Sequence, residues 1–328
     1  MKSINQKRFA LAAFALALLG LIAVPGFASA HGTSHKPEKP AKQQSKKKVK
    51  KTRNVAIGFT ALNGTSRVSC AKPVSDLGTT SRSARLNDLR FYVSGVQLLR
   101  KGGGAVNVKL PKGSKWSYTR GNSAVTLIDL ENGTGACAAE GTKGTNAAVR
   151  GTVPKGKYVG VRYSVSVPYP LNHTNLTSTP APLNLTAMGW SWQFGRKFMK
   201  VELSEDTGPA WASKIFYLHV GSTNCEGDPA AGEKAKCALP NRNLVTLKKF
   251  NPAKQKIALD FTTLFGGVNV AGESMDMGGM DDGGMGMEMG GCMSFTESPD
   301  CGPIFKTLGL KLGSKQKTAQ TAFRVIRK

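Results

Sequence analysis

Apolar and polar residues alternate in many short segments of the chain, and glycine, proline and asparagine separate these segments. The alternation is most regular over residues 158–167, YVGVRYSVSV. A period of two residues is typical of a strand with one buried face, and the helical period is nearly absent. One short helix is predicted at Ile304–Leu310. Strands are predicted at residues 55–59, 91–99, 106–110, 125–130, 158–167, 190–203, 215–220, 244–247 and 257–264.

Many short strands with turn residues between them indicate an all-β fold, an antiparallel β-sandwich or barrel-like domain. We expect a single domain over residues 55–310, with long loops and disordered basic segments at both ends. The connection at residues 168–187 is long for a hairpin, and long ordered loops are where sites tend to be built.

The first 30 residues have the pattern of an export signal. Basic residues within the first eight positions precede an apolar run, Phe9–Val24, and an A-x-A sequence follows at residues 28–30. The apolar run is short for a membrane span, so a cleaved signal peptide is favoured over a retained anchor. The mature protein would then begin at His31, be periplasmic or secreted, and contain no transmembrane span.

The chain carries 46 Lys and Arg against 20 Asp and Glu, a formal net charge of +26, which is typical of a nucleic-acid-binding protein. Much of this charge lies in an arm at residues 31–54 and a C-terminal tail at residues 311–328. The Lys-rich arm has too few apolar residues to fold, and we interpret it as a solvated, disordered segment. Contact with an anionic envelope surface is its alternative role, and export makes nucleic acid an unexpected partner.

All six cysteines follow the predicted cleavage site, and an even number in an exported protein indicates disulfides. Six cysteines allow fifteen connectivities, so a pairing is a hypothesis. Local pairs Cys225–Cys237 and Cys292–Cys301 would each close a polar loop, which leaves Cys70–Cys137 as the long-range pair.

Two histidines, His173 and His219, lie within the predicted domain. Two imidazoles suit copper, although a surface histidine in a loop and a core histidine in a strand are the ordinary alternatives. Trp190, Trp192 and Phe194 alternate on the predicted strand and would share one face. That face would pack in the core or line a site.

The segment 273–293 is rich in methionine, glycine and acidic residues, and this composition predicts a loop. Thioethers are soft ligands that select Cu(I), so we favour an auxiliary role in copper binding over a plain flexible insertion. The methionines concerned are Met275, Met277, Met280, Met285, Met287, Met289 and Met293.

The chain has no spacing typical of a nucleophilic triad, a phosphate-binding loop or a dinucleotide fingerprint, and we expect it not to be an enzyme. Asp88 and Asp129 lie beside predicted strands, where hydrogen bonding at turns and edges is expected. Two alternatives stay open: a copper oxidase or oxygenase that uses an N-terminal His31, and an envelope-binding module without a metal.

Several segments, in order, resemble the MbnP-like family, exported copper-binding proteins also described as the four-Cys-motif partner of a metallo-mystery pair. These segments are LNDLRFYVSGVQLL at 86–99, TLIDLENGTGAC at 126–137, VPYPLNHTNLTSTPAPLNLTAMGWSWQFGRKF at 167–198, FYLHVGSTNC at 216–225 and GCMSFTESPDCGPIF at 291–305. The resemblance covers roughly residues 55–310.

The resemblance implies an all-β fold with a mononuclear copper site used in copper acquisition, storage or homeostasis. It also implies a MauG-like di-haem partner that oxidises a tryptophan to kynurenine. Carried onto this chain, the ligands would be His173, His219 and the kynurenine amine formed from Trp190 or Trp192. The family's four-Cys pattern would correspond to Cys225, Cys237, Cys292 and Cys301.

Overall fold

The computed structural model describes residues 51–191, 193–272 and 290–328. The predicted signal peptide, nearly all of the Lys-rich arm, Trp192 and the predicted auxiliary ligands Met275, Met277, Met280, Met285, Met287 and Met289 lie outside the described residues. Strands dominate the rest, and the predicted all-β class is confirmed. None of the helices in the described part is both long and apolar enough to cross a membrane.

The regular elements are short apart from two strands, β1 and β4. The strands are β1 (Thr52–Asn63), β2 (Ser66–Arg67), β3 (Val74–Leu77), β4 (Arg82–Arg100), β5 (Ala105–Asn107), β6 (Ser117–Arg120), β7 (Ser123–Asp129), β8 (Ala148–Pro154), β9 (Tyr158–Val165), β10 (Gly189–Ser191), β11 (Gly195–Arg196), β12 (Met199–Glu205), β13 (Ile215–Val220), β14 (Thr223–Glu226), β15 (Lys236–Leu239), β16 (Val245–Leu247), β17 (Gln255–Asp260), β18 (Gly290–Cys292) and β19 (Phe323–Arg327). The helices are α1 (Tyr169–Asn172), α2 (Phe261–Phe265) and α3 (Cys301–Thr307).

Two sheets form the body of the domain. The smaller sheet has the order β19-β17-β1-β2, with β8 also paired to β1. The larger sheet has the order β16-β9-β4-β12-β13-β18, with β3, β5 and β7 also paired to β4 and β6 paired to β7. The pairing is antiparallel except that β1 pairs with β17, and β13 with β18, in parallel. The sheets are therefore mostly antiparallel, as expected, and these two parallel pairs are the exceptions.

Strand β4 organises the larger sheet because it changes partners along its length. Its first part pairs with β12 and its second part with β9. The register shifts between Ser94 and Gln97, where Gly95 has a φ of 59°. Glycine adopts a positive φ without steric cost, so the long strand can bend there without losing its ladder.

Four aromatic rings join the two sheets in the main core. Phe59 of β1 and Phe323 of β19 come from the smaller sheet, and Phe91 of β4 and Tyr163 of β9 come from the larger one. Each ring of one sheet contacts both rings of the other, with centroids 5.5–5.9 Å apart in edge-to-face arrangements. This geometry is favourable for aromatic pairs and fixes how the sheets stack.

A second apolar cluster lies on the opposite face of the larger sheet. Tyr92 follows Phe91 along β4, so its side chain points away from the main core. It packs with Leu171, Leu183 and Met188, which belong to the long loop after β9. The Tyr92 hydroxyl donates a hydrogen bond to the carbonyl oxygen of Pro182 at 2.8 Å. The loop is therefore attached to the outer face of the larger sheet.

The structure differs from two predicted strands and from the predicted helix. The segment predicted as one strand at 190–203 forms β10, a turn, β11 and β12. The Ser191 hydroxyl accepts from the Phe194 backbone N–H, and Gly195 has a φ of 80°, so the chain reverses there. Trp190 and Phe194 therefore do not share the face of one strand. The segment 257–264 leaves the sheet at α2, and α3 begins three residues before its predicted start.

The ends of the domain also differ from the prediction. Strand β1 begins at Thr52, inside the predicted Lys-rich arm. The C-terminal segment 311–328 was expected to be a disordered basic tail, but it contains β19, which pairs with β17. Buried Phe323 and partly buried Val325 lie on the same face of the strand, with Arg324 between them, so the strand buries apolar side chains despite its charge.

Three disulfides join Cys70 to Cys137, Cys225 to Cys237, and Cys292 to Cys301. These are the pairs that the spacing suggested. The first connects segments 67 residues apart, and the other two close short loops.

Phe323→Ala is expected to lower the free energy of unfolding by about 3–5 kcal/mol, because it removes one ring of the inter-sheet cluster. Urea denaturation of the disulfide-intact protein measures the change. Arg327→Ala, an exposed position on the same strand, is the control and should change the value by less than about 0.5 kcal/mol. Equal stability of the two variants would contradict a structural role for β19.

Candidate metal centre

Arg196 holds the long loop that carries the candidate site. Its side chain is buried, with 1% of the residue exposed. The guanidinium Nε donates to the Leu183 carbonyl at 2.9 Å, and Nη1 donates to the carbonyls of Leu171 and Asn172. The Arg196 backbone N–H in turn donates to the Asn172 side-chain oxygen at 3.1 Å. One cation thus ties α1, near the start of the loop, to Leu183 further along it.

His173 lies immediately after α1 and is partly exposed. The Asn172 amide donates to His173 Nε2 at 3.0 Å, and Cys237 Sγ lies 3.6 Å from the same nitrogen. The Tyr169 ring lies 5.8 Å from the imidazole, between ring centroids. The sulfur is part of the Cys225–Cys237 disulfide, so in this state it is not a thiolate ligand.

Trp190 lines the same cavity as His173, with a volume of about 300 Å³. Its ring is half-buried and lies 5.8 Å from Phe194 and 5.9 Å from Phe295, between centroids. A methyl group at Gly221 would lie only 2.7 Å from Cζ3 of this ring. The indole therefore rests on backbone just beyond the end of β13, where any larger residue would displace it.

His219 lies on β13, two residues before Gly221, and is 4% exposed. Its Nε2 lies 2.8 Å from Glu202 Oε1, and its Nδ1 has no hydrogen-bond partner among the described residues. Burial lowers the pKa of His219 to about 4, against the opposing effect of Glu202. The imidazole is therefore neutral at neutral pH. Since an ionised carboxylate only accepts, Nε2 carries the proton and Nδ1 keeps its lone pair.

The sheet register explains how His219 reaches its charged neighbours. Across neighbouring strands, His219 lies opposite Lys200, Lys200 opposite Arg90, and Arg90 opposite Asp129. Side chains opposite each other in a ladder lie on the same face. Arg90 and Tyr92 are two residues apart on β4, so this row lies on the outer face, beside the cluster that the loop covers.

The row belongs to a buried network of ion pairs. Lys200 Nζ lies 2.8 Å from Asp88 and 3.1 Å from Glu202. The Arg90 guanidinium lies 2.6 Å from Glu131, 3.2 Å from Asp88 and 3.4 Å from Asp129. Asp88 and Asp129 were expected at turns and edges, and that was wrong: both are buried, and burial raises the pKa of each despite the nearby cations.

The structure thus brings two predicted site residues, His173 and Trp190, to one cavity. His219 lies on the outer face of the larger sheet, hydrogen-bonded into the ion network. Met293, the predicted auxiliary ligand that is described, is partly buried directly after β18. Glu202 and Arg196 were not predicted as site residues. In sequence, Glu202 alternates with apolar neighbours and has the pattern of a solvent-facing position, so no local signal marked it.

Comparison with known proteins identifies the family. The family model described as MbnP matches residues 52–282. A search of curated proteins finds no match. Among solved structures, MbnP from Methylosinus trichosporium is similar with a TM-score of 0.70 and 30% sequence identity, covering 84% of this chain and 99% of that one. The resemblance inferred from the sequence is confirmed, and the chain belongs to the MbnP family.

Proposed function

We propose that this chain is an exported, non-enzymatic copper-binding protein for copper acquisition, storage or homeostasis. The observation that carries the proposal is the environment of His219. It is a buried, neutral imidazole with one nitrogen held by Glu202 and the other without a hydrogen-bond partner among the described residues. Metal-binding histidines commonly donate their second ring N–H to a carboxylate, which fixes the tautomer and raises ligand basicity.

The copper would be held by His219, His173 and an amine derived from a tryptophan. Neutral imidazole nitrogens suit copper, and an aryl amine is a ligand of similar character. An intact indole offers no free lone pair, whereas kynurenine carries such an amine. Three protein ligands would leave a coordination position open, which suits exchange of a cargo metal better than a closed structural site.

We assign the modified residue as Trp190, because this ring lines the cavity shared with His173 and contacts Gly221 next to β13. In the conversion, two water molecules supply the two oxygen atoms that enter as the indole C2–C3 bond breaks, and the ring loses four electrons and four protons. Water then releases the formyl group as formate and leaves the aryl amine. A MauG-like di-haem partner would accept these electrons from Trp190, whose ring is half-buried on a cavity wall.

The other parts of the proposal concern the segments beyond the described residues. The segment 1–30 would direct export to the periplasm or outside the cell. The acidic, methionine-rich segment 273–293 would supply auxiliary thioether ligands for Cu(I). The Lys-rich arm would contact anionic envelope surfaces through a salt-sensitive interaction. Membership of the MbnP family supports a role in copper handling.

Protein co-produced with its di-haem partner should show kynurenine at Trp190 in peptide mass spectra and bind one copper ion. Trp190→Phe should lose the modification and lower copper affinity at least about tenfold, because one ligand is gone. Trp192→Phe is the matched control and should keep both. Modification at Trp192 would overturn the assignment, and unchanged copper binding in a Trp190→Phe/Trp192→Phe double variant would overturn the dependence on modification.

Glu202→Gln should weaken copper binding about 10- to 100-fold while leaving every ligand in place, because the amide holds the His219 tautomer less firmly than a carboxylate. Competition with a chelator of known affinity measures the change. Glu205→Gln, an exposed position on the same strand, should leave the affinity unchanged. Circular dichroism establishes that both variants are folded. Wild-type affinity in folded Glu202→Gln would show that His219 is not a copper ligand held in this way.

A further inference from the structure

The Cys225–Cys237 disulfide lies directly beside His173. Neither cysteine belongs to the donor set proposed above. We propose that reduction of this disulfide creates an alternative metal site, in which two thiolates and the His173 imidazole, a ligand shared with the copper site proposed above, bind a thiophilic ion of the Cu(I) class. Soft thiolate ligands select such ions, and an imidazole completes a common mixed donor set. The site requires neither kynurenine nor His219.

The three donors already lie close together. One ligand atom from each of His173, Cys225 and Cys237 lies within 4.8 Å of the other two, and Cys237 Sγ is 3.6 Å from His173 Nε2. Metal–sulfur bonds of about 2.3 Å and metal–nitrogen bonds of about 2.0 Å allow one ion to reach all three after small side-chain rotations. Asn172, which now donates to Nε2, would have to release that nitrogen.

The backbone keeps the two sulfurs together when their bond is broken. Cys225 of β14 lies opposite Cys237 of β15 in an antiparallel ladder. The pairing therefore depends on backbone hydrogen bonds as well as on the disulfide. Ligands on strands are held more accurately than ligands on free loops, so the reduced hairpin remains a defined pair of donors.

A second set of contacts keeps His173 at the hairpin. The Tyr169 hydroxyl of α1 donates to the carbonyl oxygen of Ala235, just before β15. The Arg242 guanidinium lies over the Tyr169 ring, 5.8 Å from its centroid.

Exposure makes this disulfide the first to be reduced. Cys237 is partly exposed, and His173 and Ala235 beside it line a cavity of about 470 Å³. The other two disulfides are buried, with 0% exposure at Cys137, Cys292 and Cys301 and 5% at Cys70. Exchange with a dithiol requires access of the attacking thiolate to a sulfur, so the buried pairs should resist.

The redox step balances with a dithiol as the reductant. One thiolate of the dithiol attacks a sulfur of the pair and breaks the S–S bond. Its second thiol then attacks the mixed disulfide and releases the remaining cysteine of the protein as a thiol. The dithiol becomes a disulfide and transfers two electrons and two protons to Cys225 and Cys237. The new thiols lose their protons as the metal binds, and reoxidation of the pair would release the ion.

Limited reduction of the mature protein with dithiothreitol, followed by anaerobic desalting and titration with Cd²⁺, tests the proposal. Alkylation and peptide mapping should find free thiols only at Cys225 and Cys237. The reduced protein should then bind one Cd²⁺ with sulfur-to-metal charge-transfer absorption, and the oxidised protein should show none. His173→Gln should keep the absorption but bind Cd²⁺ at least about tenfold more weakly.

Two variants separate this proposal from the copper site proposed above. Trp190→Phe removes the amine donor of that site and should bind Cd²⁺ as the wild type does. Cys225→Ser/Cys237→Ser should lose the absorption. Reduction of all three disulfides together would overturn the selective switch, and equal Cd²⁺ affinity in His173→Gln would overturn the role of the imidazole. If that variant fails to fold, the cadmium NMR shift of the wild type decides whether a nitrogen ligand accompanies the two sulfurs.

Discussion

The candidate site depends on one buried cation, Arg196, which has no carboxylate partner among the described residues. Burial lowers the pKa of Arg196, and an unpaired guanidinium in the interior is costly. Here the compensation comes from main-chain carbonyls of the loop itself, on Leu171, Asn172 and Leu183. These contacts give the buried cation its acceptors within the loop, so the cation and the loop conformation stabilise each other. The positions of His173 and Trp190 therefore follow from packing and do not require a bound metal.

The ion network next to His219 illustrates a different use of buried charge. Buried ion pairs contribute little net stability, since the loss of hydration roughly offsets their attraction. Their consequence here is geometric: Lys200 holds Glu202, and Glu202 holds His219 Nε2. Because these contacts fix the His219 ring through Nε2, its Nδ1 is the nitrogen that could bind a metal, and it has no hydrogen-bond partner among the described residues. Removal of one member would leave its partner charged and unpaired, so a single substitution in the network would destabilise the fold.

The elements predicted correctly are those whose alternation of apolar and polar residues reflects the burial of each strand face. Residues 158–167 alternate because each strand face meets a different environment, and β9 lies there. The segment 190–203 was predicted wrongly because a single hydroxyl, on Ser191, and a glycine with positive φ reverse the chain. Lys200 and Glu202 alternate with apolar residues in the pattern of solvent-facing positions. Their burial cannot be predicted locally, because Asp88, which pairs with Lys200, is 112 residues away in sequence. Likewise, only the family resemblance grouped His173 with Trp190, whereas spacing alone suggested the cysteine pairs.

The two histidines differ in a way that bears on how a cargo metal would enter and leave. His219 is buried, neutral and oriented by Glu202, so its nitrogen is preorganised and loses little entropy on binding. His173 is partly exposed, borders two cavities and lies beside a disulfide. An incoming ligand can compete for the bound ion only at a protein ligand that it can reach from solvent. Ligand exchange at a site with these two imidazoles would therefore begin at His173, and any change in the Cys225–Cys237 pair would act at that same end.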